Sequence, residues 1–322
     1  MRVPGHCTDN WQSMYEAHFG FRNLPFGLTP DTRFYFSEAS HQEALNTLLV
    51  ALRSGEGFLK VTGEIGLGKT QLCRQLLNAL GDGFVAAYVP NPVLTPRAMF
   101  QAVAEELGFK VFPATTRERL LKAVEQRLLD NAVAGKRTVL IVDEAQALSD
   151  DTLEAVRLLT NLETETSKLL QVVLFGQPEL DQRLAQPQLR QLRQRITYSH
   201  RLRPLNPTEF RSYIRHRLEI AGGGSPDLFS ASALNVLYRA SRGTPRLINI
   251  LCNKALLAAF GPGDSSIERA HALAAVQDTE SAEISSVSKL WLYAQENLGR
   301  LCLALGLGLA VAYVLLNGPA NV

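Results

Sequence analysis

Between Phe58 and Arg201, short apolar runs alternate with longer stretches in which apolar positions recur every three or four residues. Phe58–Thr62, Val85–Pro90, Thr138–Val142, Leu169–Phe175 and the weaker Ile196–Arg201 read as strands. Between them, Thr95–Leu107 follows a proline-rich turn and reads as a helix. Arg117–Ala134 carries Leu120, Leu121, Val124, Leu128 and Leu129 at helical spacing, and Leu153–Leu162 repeats the pattern behind Ser149, Asp150 and Asp151. Strands that alternate with helices predict an α/β fold, a parallel sheet covered on both faces.

After Pro204 the strand signals stop. Pro207–Ile220, Ser230–Ser241, Pro245–Phe260 and Ile267–Val276 follow as helices, which predicts a second, all-helical domain. Gly222, Gly223, Gly224, Ser225 and Pro226 form a turn inside it. Asp278–Ser288, rich in Ser and Glu and free of aromatic residues, reads as a linker. Leu301–Leu316 is uncharged throughout, with Arg300 before it. A bilayer span needs about 20 apolar residues, so a single transmembrane helix over 298–318 is expected only if Asn317–Ala320 reach the far interface. Lys289 and Arg300 upstream place the larger N-terminal part in the cytoplasm, with Trp291 and Tyr293 as interface anchors.

Composition adds limits rather than chemistry. With 322 residues, 46% hydrophobic and 20% charged, the chain can bury a large core in more than one domain. Thirty-three Lys and Arg against 31 Asp and Glu give a net charge of +2, too small for general nucleic-acid binding. Cys7, Cys73, Cys252 and Cys302 are widely spaced, match no metal-site pattern and read as reduced thiols. The N-terminus has no apolar stretch of the secretory kind.

The strongest chemical signal is Gly63, Glu64, Ile65, Gly66, Leu67, Gly68, Lys69 and Thr70, which fit G-x-x-x-x-G-K-[ST] in full. A predicted strand precedes the motif, and a helical pattern opens at Lys69, Thr70 and Gln71. Glycines let the backbone curl so that successive N–H groups face a polyphosphate, as in a P-loop. Lys69 is then expected at the β- and γ-phosphates of ATP and the Thr70 hydroxyl on Mg²⁺.

Thr138–Val142 delivers Asp143 and Glu144 just beyond a strand, the edge where open α/β sheets bind ligands. The pair resembles a Walker B motif, with Asp143 as a metal ligand and Glu144 orienting or deprotonating the attacking water. Gln177, beyond the fourth strand, is placed either to sense the γ-phosphate and hold the water or simply as a turn residue. Arg190, Arg193 and Arg195 precede the fifth strand and are candidates for a finger acting on a neighbouring subunit, with the choice among them open. With Arg201 and Arg203 they equally form a solvated basic face or a phosphate-contacting cluster. Arg246, behind Gly243, Thr244 and Pro245 at a helix start, is expected to point at the nucleotide between the two domains.

These residues in this order resemble the ExeA/GspA-like AAA+ ATPases of type II secretion, and among them most closely the members that serve the MSHA pilus. The likeness begins at Met14 with Met-Tyr-Glu-Ala-His-Phe-Gly-Phe. It continues through Pro25-Phe-Gly-Leu-Thr-Pro-Asp and Ser40-His-Gln-Glu-Ala-Leu to Asp278-Thr-Glu. The resemblance implies a nucleotide-binding domain over 14–203, a helical lid over 204–277, a linker over 278–297, nucleotide-driven homo-oligomers and partners among inner-membrane assembly proteins. It also implies that Phe26–His41 packs near the adenine. Residues 1–13 precede the likeness and are expected to be a disordered extension. ExeA-like members carry a peptidoglycan-binding region beyond the membrane, and with only a short tail after Leu316, over 319–322 beyond the span, direct cell-wall binding is not expected. Two other classes stay open, a DNA-associated switch using the arginine cluster and a nucleotide-binding scaffold with little turnover.

Overall fold

The computed structural model describes residues 15–280 and 282, apart from 29–31, 35, 37–38, 91–92, 113–114, 163–167, 223–224 and 226. Five parallel strands lie in the order β2-β3-β4-β1-β5: β1 (Phe58–Thr62), β2 (Phe84–Val89), β3 (Arg137–Val142), β4 (Leu170–Gly176) and β5 (Tyr198–Arg201). The register pairs Phe58 with Val172, Thr138 with Leu170, Val85 with Thr138 and Leu59 with Tyr198. The chain thus returns β4 between β3 and β1, and the loops leaving β1, β3 and β4 emerge side by side.

Period-two alternation builds both layers from the same strands. Leu140, Val142, Val172 and Leu174 face α3 (Pro96–Glu106), α4 (Arg117–Val133) and α5 (Asp150–Leu159). Val139, Ile141, Val173 and Phe175 face α1 (Ala39–Arg53) and α2 (Lys69–Ala79). Two short helices, α6 (Pro178–Leu184) and α7 (Arg190–Arg195), link β4 to β5. The lid holds α8 (Pro207–Ala221), α9 (Ala231–Ser241), α10 (Pro245–Phe260) and α11 (Arg269–Gln277).

Capping chemistry explains the helix starts. Thr95, Thr116, Ser149 and Ser230 each accept from a backbone N–H three residues on, and Asn206 and Glu209 complete a reciprocal capping box. The cap at Ser149 starts α5 at Asp150, ahead of the expected Leu153, because Asp150 and Asp151 favour the positive end of the helix dipole. The fifth strand begins at Tyr198 rather than Ile196, since α7 runs through Arg195.

The N-terminal segment departs from the expected domain plan. Tyr15, Phe19, Phe21, Phe26 and Phe34 are buried in the lid core, beside Phe210, Leu218 and Ile248. Tyr15 donates to Asn253 at 2.8 Å, and the Arg22 N–H donates to the Ala221 carbonyl at 2.9 Å. The first described residues therefore pack on the lid, and the chain crosses to the sheet at α1 and comes back to the lid after β5. At the other end, Asp278 caps α11 and pairs with Lys254, and Thr279 is buried, so the lid extends past 277 into the expected linker.

The expected membrane span at 298–318, its flank from 283, the tail at 319–322 and the extension at 1–13 lie outside the described residues. Among the described residues no helix is long and apolar enough to cross a membrane. Cys73 and Cys252 are buried free thiols.

Candidate functional site

The loop after β1 curls over the start of α2, with Gly66 and Gly68 at φ near +84° and +85°. Those left-handed values are readily open only to glycine. Leu67 turns its side chain into the core and Glu64 is exposed, so these two contribute backbone. Lys69 is buried and bends back to donate to the carbonyls of Gly63 at 2.7 Å and Glu64 at 3.0 Å. Burial holds its ammonium below the usual lysine range, opposed by the charges of Glu144, Asp143 and Glu64. A polyphosphate would replace weak carbonyl partners with charged ones.

Asp143 is 2% exposed at the end of β3. Its burial pushes the carboxyl up, against hydrogen bonds from Thr70 and from the Glu144 N–H and against the nearby Lys69 charge, while Glu144 pushes in the same direction as burial. The Thr70 hydroxyl and a buried, only partly neutralised carboxylate make a hard oxygen pair, the donor set a magnesium ion fits. Glu144 occupies a left-handed backbone position, φ 52° and ψ 37°, a strain on the order of 1–3 kcal/mol that collects at functional sites. Its Oε2 accepts from the side-chain amide of Gln177 at 3.2 Å and from that of Gln146.

Lys69, Thr70, Glu144 and Gln177 line one cleft of about 350 Å³ together with Ile65, Gly66, Gly68, Gln71 and, from the lid, Pro245, Arg246 and Asn249. Pro245 sits in the first turn of α10, so Arg246 faces the loop, and its own N–H donates to the Gly66 carbonyl at 3.2 Å. Gly27, Leu28, Tyr213 and Arg217 also line the cleft. Of the segment the resemblance put near the adenine, Gly27 and Leu28 reach the cleft. Phe26 and Phe34 pack into the lid core instead, and His41 supports the loop by hydrogen bonding the Leu67 carbonyl at 2.7 Å.

Arg193, Arg195 and Arg190 do not join this cleft. The Thr197 N–H meets the Phe58 carbonyl at 3.0 Å, so α7 ends at the opposite edge of the sheet, one strand length or about 16 Å from the phosphate loop. Arg195 donates to Thr160 at 2.9 Å, whereas Arg190 and Arg193 are exposed. From there they do not reach this chain's own cleft.

Sequence reading missed Gln146, Arg217, Tyr213 and Asn249. Arg217 is 6% exposed and donates to Tyr213 at 3.0 Å, to Gly27 O at 3.3 Å and to Pro25 O, while its guanidinium lies 4.7 Å over the Phe34 ring. Tyr213 in turn donates to Asn249 at 2.9 Å. Nothing in the helical period of α8 separates such a residue from a surface arginine.

The chain is 45% identical over 254 residues, 79% of its length, to general secretion pathway protein A of Aeromonas hydrophila. It belongs to the ExeA/GspA-like family of AAA+ P-loop ATPases. A family model described as an AAA domain matches residues 52–184. The chain spans only 46% of that relative's length. Among solved structures, the ORC1 protein of Aeropyrum pernix in complex with DNA is 19% identical with a TM-score of 0.60, over 80% of this chain and 69% of that one. Drosophila ORC bound to DNA gives 19% and 0.59, over 86% and 68%. The Thermotoga maritima RuvB branch migration motor gives 17% and 0.51, over 83% and 80%. These likenesses establish the parallel-sheet AAA+ fold.

Proposed function

We propose that the chain binds and hydrolyses ATP with Mg²⁺ to support assembly of an MSHA-type type IV pilus, or of related type II secretion machinery, at the inner membrane. The observation that carries the chemistry is the meeting of Lys69, Thr70, Asp143, Glu144 and Gln177 on one sheet edge under Arg246 of the lid. The secretion relative carries the cellular setting.

In this reading Lys69 leaves the Gly63 and Glu64 carbonyls for the β- and γ-phosphates, while backbone N–H groups of the loop hold the chain of phosphates. Thr70 and Asp143 hold Mg²⁺, which when bound neutralises developing charge on the phosphate oxygens. Glu144 orients the attacking water and takes its proton, and Gln177 holds the same water or the γ-phosphate. Arg246 reads the nucleotide from the lid. One of Arg190, Arg193 and Arg195, at the far end of the sheet, acts on the neighbour's γ-phosphate in a homo-oligomer, and exposed Arg193 is the first to test. The span at 298–318, uncharged from Leu301 to Leu316, anchors the protein with its ATPase part in the cytoplasm.

Glu144→Gln tests the chemistry. It should bind ATP as the parent does and lose turnover by about a hundredfold or more, whereas parental turnover would remove Glu144 from its role. Washed membranes, compared between the full chain and one stopped at Ser288, test the anchor. A full chain that stays in the soluble fraction removes it.

A further inference from the structure

Glu144 orients water only if its carboxylate is itself held, and the structure offers few groups to hold it. Its Oε2 accepts from two amides, those of Gln177 and Gln146. The second lies two residues downstream, in the short helical turn Ala145–Ala147. Its orientation is chemically determined. The backbone N–H of Gln177 donates to the other end of the Gln146 amide at 2.9 Å, and only oxygen can accept there, so nitrogen must face Glu144.

The rest of the surroundings fix Gln146 in place. Arg183 of α6 donates to the Gln146 carbonyl at 2.9 Å and also to the Leu148 carbonyl and the Asp150 carboxylate. Gly176 lies against the same amide: a Cβ there would crowd Leu180 at 2.7 Å and just touch Gln146 Oε1 at 3.4 Å. One side chain thereby spans the loops that leave β3 and β4, touching Glu144 on one and the Gln177 backbone on the other.

We propose that Gln146 is a positioning residue for hydrolysis, an amide bridge that sets the pose of Glu144 from the end of β4. This rests on the reading of Glu144 given above. Gln146 does not line the cleft, so its loss should leave nucleotide binding in place. Without the bridge the carboxylate swings on one remaining amide, and a displacement of about 1 Å at a reacting group costs on the order of a hundredfold in rate.

The test compares full-length Gln146→Met and Gln146→Asn with Glu144→Gln and the parent, measuring ATP affinity and kcat separately. Gln146→Met keeps the volume and loses both bonds. Gln146→Asn keeps the amide but is one methylene shorter, so it cannot reach Glu144 and the Gln177 N–H together, and it decides the matter if the Met variant fails to fold. Both should lose kcat by about 10- to 100-fold with ATP affinity within about twofold of the parent. Parental kcat in Gln146→Met, or in Gln146→Asn where the Met variant fails to fold, beside a dead Glu144→Gln would overturn the bridge alone. A parallel fall of affinity and kcat would make Gln146 merely structural and overturn it too. Parental turnover in Glu144→Gln would overturn the reading beneath it.

Discussion

Gly66 and Arg246 touch across the two domains. The Arg246 N–H donates to the Gly66 carbonyl at 3.2 Å, and a Cβ on Gly66 would stand 2.8 Å from the Arg246 Cβ and 3.1 Å from a Thr244 methyl. The first turn of the lid helix thus rests on the phosphate loop. Gly66→Ala should be strained twice, by its left-handed φ and by that contact, at a combined cost of about 1–3 kcal/mol. It should lower the thermal midpoint and weaken ATP binding more than Arg246→Ala does. A variant that binds ATP like the parent would separate lid from loop.

How far the sequence foretold this arrangement depended on the kind of signal. The P-loop and the Asp143–Glu144 pair were legible because each follows an apolar strand and needs fixed residue types. The helix α1 was not read as such, and α6 and α7 are too short to show a helical period. The packing of Tyr15–Phe34 into the lid escaped because aromatic residues mark a core without saying which one. Gln146 and Arg217 escaped for a deeper reason. Their partners, Gln177 and the Pro25 and Gly27 carbonyls, come together only through the strand order and the lid's return to the N-terminus.

Arg217→Met should release Pro25 O and Gly27 O from a buried donor and free the segment that carries Leu28 to the cleft. Leaving such carbonyls unpaired costs about 1–3 kcal/mol each. The variant should bind ATP about tenfold or more weakly, by calorimetry or fluorescent-nucleotide competition. Unchanged affinity would mean that the segment does not shape the nucleotide site.

His41 predicts a dependence on acid. Its Nε2 must carry a proton to donate to Leu67 O, and burial, foremost, holds its pKa below 6.5. Below that value the unfolded chain takes up a proton that the folded one resists. Stability is therefore full above about pH 6.5 and declines as pH falls toward the lowered folded value. Asp143, whose carboxyl is raised by burial, contributes with the opposite sign in the carboxylate range. Thermal midpoints between pH 7.5 and 5.5 should fall less in His41→Gln than in the parent, and equal slopes would contradict this.

Arg193 and Glu144 should complement each other between subunits. Arg193→Ala alone should bind ATP normally and lose turnover by about a thousandfold or more, the scale of an arginine finger. Mixing it with Glu144→Gln should restore part of the activity, because some interfaces then pair an intact Glu144 with an intact Arg193. A mixture as inactive as its parts would argue that Arg193 does not act in trans.

The most direct test of the central claim is steady-state ATP turnover by the full-length chain over a range of protein concentrations, with and without duplex DNA, beside Lys69→Ala. Turnover that rises faster than concentration, disappears in Lys69→Ala and ignores DNA is the expected result for an assembling ATPase of the cell envelope. Strong stimulation by DNA, or no turnover at any concentration, would contradict it.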